Sequence, residues 1–162
     1  MRKVLIVSII LGVTIMFTGC GSKVSEAYKD YISQAKVEIV NGDYDKALQF
    51  LTLAKDENTG DKVVDELSEQ IDMYRKLEKG IWTAEDGNLT EDLYKSIEEQ
   101  LEEANKFIKR KFESNLMIEN IKIKIEELSV AVDNAKEMQQ QALEEEKKMQ
   151  EEAIETEKKI QK

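Results

Sequence analysis

The stretch that decides the fold is IENIKIKIEELSVAVDNA, residues 118–135. Its apolar residues recur in alternating steps of three and four, which is the spacing of a helix face that packs along another helix. This face, called the seam below, is formed by Ile118, Ile121, Ile125, Leu128, Val132 and Ala135. The seam predicts a long, coiled-coil-like helix that needs a helical partner.

Either earlier helices of the same chain or a second chain can cover the seam. Packing within the chain is favoured, because the shorter helices upstream have apolar faces that the long helix can cover. We therefore predict that residues 90–135 form a long helix that packs on the core. A kink or break is expected at Glu113-Ser114-Asn115, where the apolar pattern is irregular.

Toward the carboxyl end the seam loses its apolar character. The same frame continues through polar residues such as Gln139 and Glu146. Oppositely charged residues one turn apart, for example Glu144 and Lys148, support a solvated helix. Residues 136–162 are therefore predicted to form a charged, exposed helical tail that is open to a partner or to self-association.

The composition also favours an all-α fold. The 162 residues include no proline and only 7 glycines, so helix breakers and hairpin-forming residues are scarce. This length accommodates one small folded unit. The formal charge of −10 becomes −12 when a leader that carries Arg2 and Lys3 is removed, which makes nucleic acid a poor partner.

The residue inventory excludes much enzyme chemistry. A single cysteine and no histidine rule out an internal disulfide, a cysteine-histidine zinc site and a histidine acid/base pair. The glutamate pairs at 98–99 and 102–103 lie one turn apart and could chelate a hard cation, but a solvated helix face is favoured. We predict a non-enzymatic protein with no catalytic, cofactor-binding or metal-binding residues.

Residues 25–80 are predicted to form a helical hairpin and a third helix. Ser25 can cap the first helix, Gly42 can supply a left-handed stop, and Asp43 can cap the second helix. The expected buried positions are Tyr28, Tyr31, Ile32, Ala35 and Ile39 in the first helix, and Tyr44, Ala47, Leu48, Leu51 and Ala54 in the second.

The third helix is predicted over residues 61–79, with Val64, Leu67, Ile71 and Tyr74 inward and with Gly80 as its end. Residues 81–89 are predicted to be a loop that leads to a cap at Thr90. Trp82 lies in this predicted loop. It is expected to plug the end of the helical core, and the alternative is an exposed recognition residue.

The amino terminus has the plan of a signal peptide. Two basic residues, Arg2 and Lys3, precede an uncharged and mostly apolar run, residues 4–17. As a helix this run would be roughly 21 Å long, shorter than the ~30 Å hydrocarbon core of a bilayer. A signal peptide is therefore favoured over a permanent membrane-spanning anchor.

The four residues Phe17-Thr18-Gly19-Cys20 resemble the lipobox of bacterial lipoproteins. The resemblance implies that residues 1–19 are removed and that Cys20 carries diacylglycerol, with or without a further N-acyl chain. Residues 20–24 then form a lipidated tether, and the protein is held on the extracytoplasmic face of the cell membrane. The alternative is an ordinary signal peptide or an uncleaved anchor with an incidental cysteine.

Residues 31–59 resemble a single tetratricopeptide-type repeat. The residues that carry this resemblance are Tyr31, Ala35, Gly42-Asp43-Tyr44, Ala47, Leu51 and Ala54, whereas Gln34, Glu38 and Thr59 depart from the family pattern. Members of the family stack several repeats into a surface that binds peptides, so one copy implies mainly the hairpin geometry. The alternative is an alanine-rich helical hairpin without a binding role.

Together these patterns predict an all-α protein: a tetratricopeptide-like helical hairpin and a third helix, followed by the long coiled-coil-like helix. The predicted function is that of a membrane-anchored lipoprotein that acts as a scaffold or adaptor for another envelope protein. The alternative is a structural spacer between membrane and cell wall with no specific binding pocket. The only predicted modification site is Cys20.

Overall fold

Helices make up the regular secondary structure of the computed structural model, which describes residues 24–87 and 89–160, with side chains as far as residue 154. These residues contain no β-strand, and the predicted all-α class is confirmed. The five helices are α1 (Glu26–Asn41), α2 (Tyr44–Glu57), α3 (Lys62–Glu85), α4 (Glu91–Phe107) and α5 (Ile118–Ile160).

The boundaries of the α1–α2 hairpin are those that the sequence predicts. The Ser25 hydroxyl accepts a hydrogen bond of 3.0 Å from the backbone N–H of Tyr28, and Asp43 accepts one of 3.1 Å from Lys46. Between them, Gly42 ends α1 with a φ of 79°, which favours glycine. The two caps and the left-handed stop are confirmed.

Small side chains hold the hairpin together. Ala35 on α1 faces α2, where Ala47, Leu51 and Ala54 are buried. Because alanine ends at its β-carbon, the two helix axes can approach closely along this line. Several larger residues that were expected to be inward, including Tyr31 and Leu48, are only half-buried at the margins of the hairpin.

The seam of α5 packs on the earlier helices of its own chain, as predicted. Ile121 and Leu128 are completely buried, and Ile118 and Ile125 are half-buried at the edge of the core. The buried seam ends at Ala135. The seam is therefore part of the protein core and is not left for a second chain.

Helices α3 and α5 run in the same direction. Near their starts, the side chain of Gln70 accepts a hydrogen bond from the backbone N–H of Met117. Further along both helices, Leu128 lies against Gly80. Helix α4 connects the end of α3 to the start of α5, so α3, α4 and α5 alternate in direction as in an up-down-up bundle.

The prediction that Gly80 ends the third helix is wrong. Helix α3 continues to Glu85, so most of the predicted loop over residues 81–89 is helical. A β-carbon at Gly80 would lie 3.1 Å from a methyl carbon of Leu128 and 2.9 Å from the side-chain oxygen of Gln100. This glycine allows close contact between helices instead of a chain reversal.

One long helix over residues 90–135 is not formed, whereas the break expected at Glu113-Ser114-Asn115 is present. Helix α4 ends at Phe107, and residues 108–117 form a non-helical connection that includes the irregular patch noted in the sequence. Two side chains of α3 bind the backbone of this connection. Glu66 accepts from the N–H of Glu113 at 2.7 Å, and the fully buried Gln70 donates to the carbonyl of Ser114 at 2.6 Å.

Replacement of Gln70 by leucine should destabilise the fold by about 2–6 kcal/mol. Leucine has a similar volume but cannot pair with the Ser114 carbonyl or the Met117 N–H, and each unpaired buried group costs about 1–3 kcal/mol. Urea unfolding measures the effect. Gln49→Leu, at an exposed position of α2, is the matched control. Equal midpoints for the two variants would contradict the assigned role of Gln70.

Candidate interaction surfaces

Helix α5 leaves the body of the protein at Gln139. The Gln139 side chain donates to the carbonyl of Leu89 at 2.6 Å and accepts from the Tyr94 hydroxyl at 3.2 Å. One turn earlier, the Lys136 ammonium lies 3.5 Å from Glu98 and 5.7 Å from the centre of the Tyr94 ring. These contacts attach α5 to the first turns of α4 and to the connection before it.

Beyond Gln139 the helix continues without cover, and residues 140–160 are called the arm below. Every arm side chain described, through Ile154, is exposed. Its large apolar residues, Leu143, Met149 and Ile154, are more than half exposed. At 1.5 Å per residue, the arm is roughly 30 Å long.

The amino-terminal end of α1 and the arm lie at opposite ends of the body. The Ser25 hydroxyl donates to Glu57 at 2.8 Å, so α1 begins where α2 ends and α3 begins. Residues 108–117 lie at this same end, because Glu66 and Gln70 bind them. The arm leaves from the other end of α3, a distance of about 36 Å for the 24 residues of this helix.

The predicted lipidation site, Cys20, lies outside the described residues, as does the predicted signal peptide. The first described residue, Val24, follows it by four positions. A four-residue tether spans at most about 14 Å. Within residues 24–87 and 89–160, no helix is long and apolar enough to cross a bilayer.

Trp82 does not plug the core. Its side chain is 71% exposed, near the end of α3. Helix α2 reaches only the middle of α3, where the Tyr44 and Tyr74 rings lie 5.0 Å apart. Trp82 is two turns further on. Extending the helical pattern past Gly80 would have placed Trp82 outside, because its neighbours Ile81 and Ala84 take the inward positions.

The paired glutamates of α4 are exposed and engaged in separate ion pairs. Glu102 lies 2.6 Å from Lys106, whose hydrogen bond lowers the pKa of that carboxyl, and Glu103 pairs with Lys76 of α3. Among residues 24–87 and 89–154, no group of three or more metal-binding side chains is brought together. These carboxylates therefore form a solvated, charged face.

Shallow grooves separate α3 from α4. One, of about 270 Å³, is lined by Met73 and Phe107 and is bridged by Arg110, which lies 2.7 Å from Glu69. The other, of about 320 Å³, contains Gln100, whose side-chain oxygen is buried without a hydrogen-bond partner. That oxygen lies against Gly80, which lines the same groove.

Comparisons with known proteins assign no role to these surfaces. No protein-family model, no curated protein and no solved structure matches the chain. The functional interpretation therefore depends on the anchor motif in the sequence, on the arm and on the exposed tryptophan.

Proposed function

We propose that the protein is a lipid-anchored, extracytoplasmic adaptor that binds another envelope protein at a distance from the membrane. Lipid on Cys20 holds the lower end of the body, where α1 begins, close to the bilayer. The arm then extends from the opposite end. The observation that carries this proposal is the separation of these two ends by the length of α3.

The chemistry of the arm supports a binding role. Its large apolar side chains Leu143, Met149 and Ile154 face solvent, and no helix among the described residues packs on them. Apolar side chains that stay in water contribute little to the stability of the fold. A spacer that only fills distance would not need them. This argument favours an adaptor over a structural spacer, which is the second candidate because the arm adds roughly 30 Å of reach.

Cys20→Ala should abolish lipid labelling and release the protein, or leave an unprocessed precursor. Anchoring depends on the acyl chains, because each buried methylene contributes about 0.8 kcal/mol and one chain alone holds only marginally. Fatty-acid labelling and fractionation of cells measure this. Ser22→Ala, two residues later, is the control. Undiminished labelling of the cysteine-free protein would refute the lipoprotein assignment.

Photo-cross-linking in intact cells separates the adaptor from the spacer. A photoreactive residue at Met149 should capture a discrete protein, whereas one at Lys95, exposed on α4, should not. Capture at neither position, with lipidation intact, would favour the spacer.

A further inference from the structure

A surface on one side of the α3–α5 pair remains uncovered above the hairpin. Lys124 of α5 lies 3.9 Å from Glu78 of α3 and over the Tyr74 ring at 5.5 Å, so these three residues mark the side on which α2 packs lower down. Burial is the main cause that raises the pKa of the Tyr74 phenol above its ordinary value. The lower part of this side is therefore closed by the hairpin.

Further along α3, the helices that the structure describes leave this side uncovered. Trp82 follows Glu78 by one turn of α3, and Met138 follows Lys124 by two heptads of α5, so both residues lie on this side. Trp82 is 71% exposed and Met138 is 50% exposed. We call this surface the shelf; it comprises Glu78, Trp82, Glu85 and Met138.

The shelf extends onto the arm as one apolar stripe. On α5 the stripe runs from Met138 through Ala142 to Met149, which is 65% exposed. These steps of four and seven residues keep the stripe on one side of a straight helix. Its direction is that of α5, so an occupant that follows the stripe is itself elongated.

Carboxylates border the stripe on both helices. Glu85 and Asp86 lie one turn after Trp82, and both are exposed. On α5, Glu145 follows Met138 by seven residues and therefore lies on the same side. Lys124 offsets part of this charge at the lower edge, where it also pairs with Glu127 at 2.8 Å. The upper part of the stripe is thus bordered mainly by negative charge.

We propose that the shelf and the adjoining arm bind an amphipathic helix of a partner protein, with an apolar stripe and with arginine or lysine beside it. The occupant takes the place above α2 that no helix among residues 24–87 and 89–160 fills, and Trp82 with Met138 contact its apolar residues. Charge complementarity selects a basic partner. A second copy is disfavoured, since its own arm would bring Glu144, Glu145 and Glu146 against the same carboxylates.

The proposal rests on the adaptor function in one respect, since it names the kind of partner that the adaptor binds. Binding to the shelf can itself be tested without a membrane. Trp82 is the only tryptophan, so its fluorescence reports directly on the shelf. The probe is a synthetic helical peptide with leucines on one face and arginines on either side. It is titrated into the full-length protein in non-ionic detergent, and the same peptide with glutamate in place of arginine is the comparison.

The arginine peptide should shift the Trp82 emission to shorter wavelength and bind more weakly as salt increases, and the glutamate peptide should not bind. Met138→Gln should weaken binding by about tenfold, the effect expected of a residue central to an interface. Glu85→Gln combined with Glu145→Gln should reduce the salt dependence. Val37→Gln, at an exposed position of α1, and Glu99→Gln, on α4, are the matched controls.

An unchanged Trp82 spectrum, or equal binding of both peptides, would overturn the proposal. So would equal affinity in the Met138→Gln and Val37→Gln variants, because the apolar stripe would then contribute nothing. Circular dichroism verifies that each variant is folded. If the peptide binds but Cys20 is not lipidated, the membrane proposal is refuted and the shelf proposal stands. If Cys20 is lipidated and the arm cross-links but the peptide does not bind, only the shelf proposal is refuted.

Discussion

Truncation after Asn115 should unfold the protein, whereas truncation after Gln141 should leave its fold intact. The chain that ends at Asn115 lacks Met117, Ile121 and Leu128, which are completely buried, as well as all the other seam residues. Each large apolar side chain contributes roughly 1.5–3 kcal/mol on burial. Their combined loss is comparable to the entire stability of a domain, about 5–15 kcal/mol.

The chain that ends at Gln141 keeps the contacts of Gln139 with Leu89 and Tyr94. The residues that it lacks are exposed as far as their side chains are described, through Ile154. Circular dichroism and thermal melts of the two chains compare the outcomes. A folded, monomeric protein after truncation at Asn115 would show that the seam is not part of the core. Unfolding of both chains would show that the arm is buried.

The second large effect is expected for Ala47→Glu, which should destabilise the protein by about 3–5 kcal/mol. Ala47 is 0% exposed where α2 packs on α1. A glutamate there adds volume that separates the helices and places a carboxylate among apolar groups. Urea unfolding measures the loss, with Gln49→Glu as the control that adds the same charge at an exposed position of α2.

Equal stability of the Ala47→Glu and Gln49→Glu variants would contradict close packing of the hairpin. A loss confined to α1 and α2, with α3 to α5 still folded, would instead show that the hairpin unfolds separately. Native-state hydrogen exchange distinguishes these results, because it reports the opening of each helix.

Local patterns predicted the parts of the fold that depend on neighbours in sequence. The cap residues Ser25, Asp43 and Thr90 accept backbone hydrogen bonds as expected, because this interaction spans only three residues. The seam from Ile121 to Ala135 also follows its heptad spacing into the core. A repeated apolar pattern predicts which side of a helix is buried, and it does so without identifying the helix that packs there.

The errors arose where a local signal had two physical meanings. Glycine can end a helix or allow another helix to approach. The close contact with Leu128 shows that Gly80 has the second role. The wrong boundary then displaced Trp82 from a helix surface to a loop. Likewise, the connection over residues 108–117 is held by Glu66 and Gln70, more than forty positions earlier in the chain, which no short sequence pattern reveals.

Some of the candidate functional features could be recognised from the sequence, and others could not. The anchor motif at Cys20 and the charged tail are sequence patterns, and they gave the proposed function its two parts. The shelf is not visible as a sequence pattern. It is formed because α2 ends before the level of Trp82 and because Met138 of α5 lies on the same side. Such a surface depends on helix lengths and on which helices are neighbours, so it becomes recognisable only in three dimensions.

The height of the arm above the membrane tests the central claim most directly. Cys20 is the only cysteine, so once lipid occupies its thiol, a cysteine introduced at Ile154 can be labelled alone with a fluorophore. Energy transfer to acceptors in the lipid headgroups then measures its height, with a label at Glu26 as the reference. We predict that position 154 lies roughly 50–60 Å further from the bilayer than position 26, from the lengths of α3 and the arm. Equal transfer from the two positions would contradict the account, because the arm would then lie along the membrane.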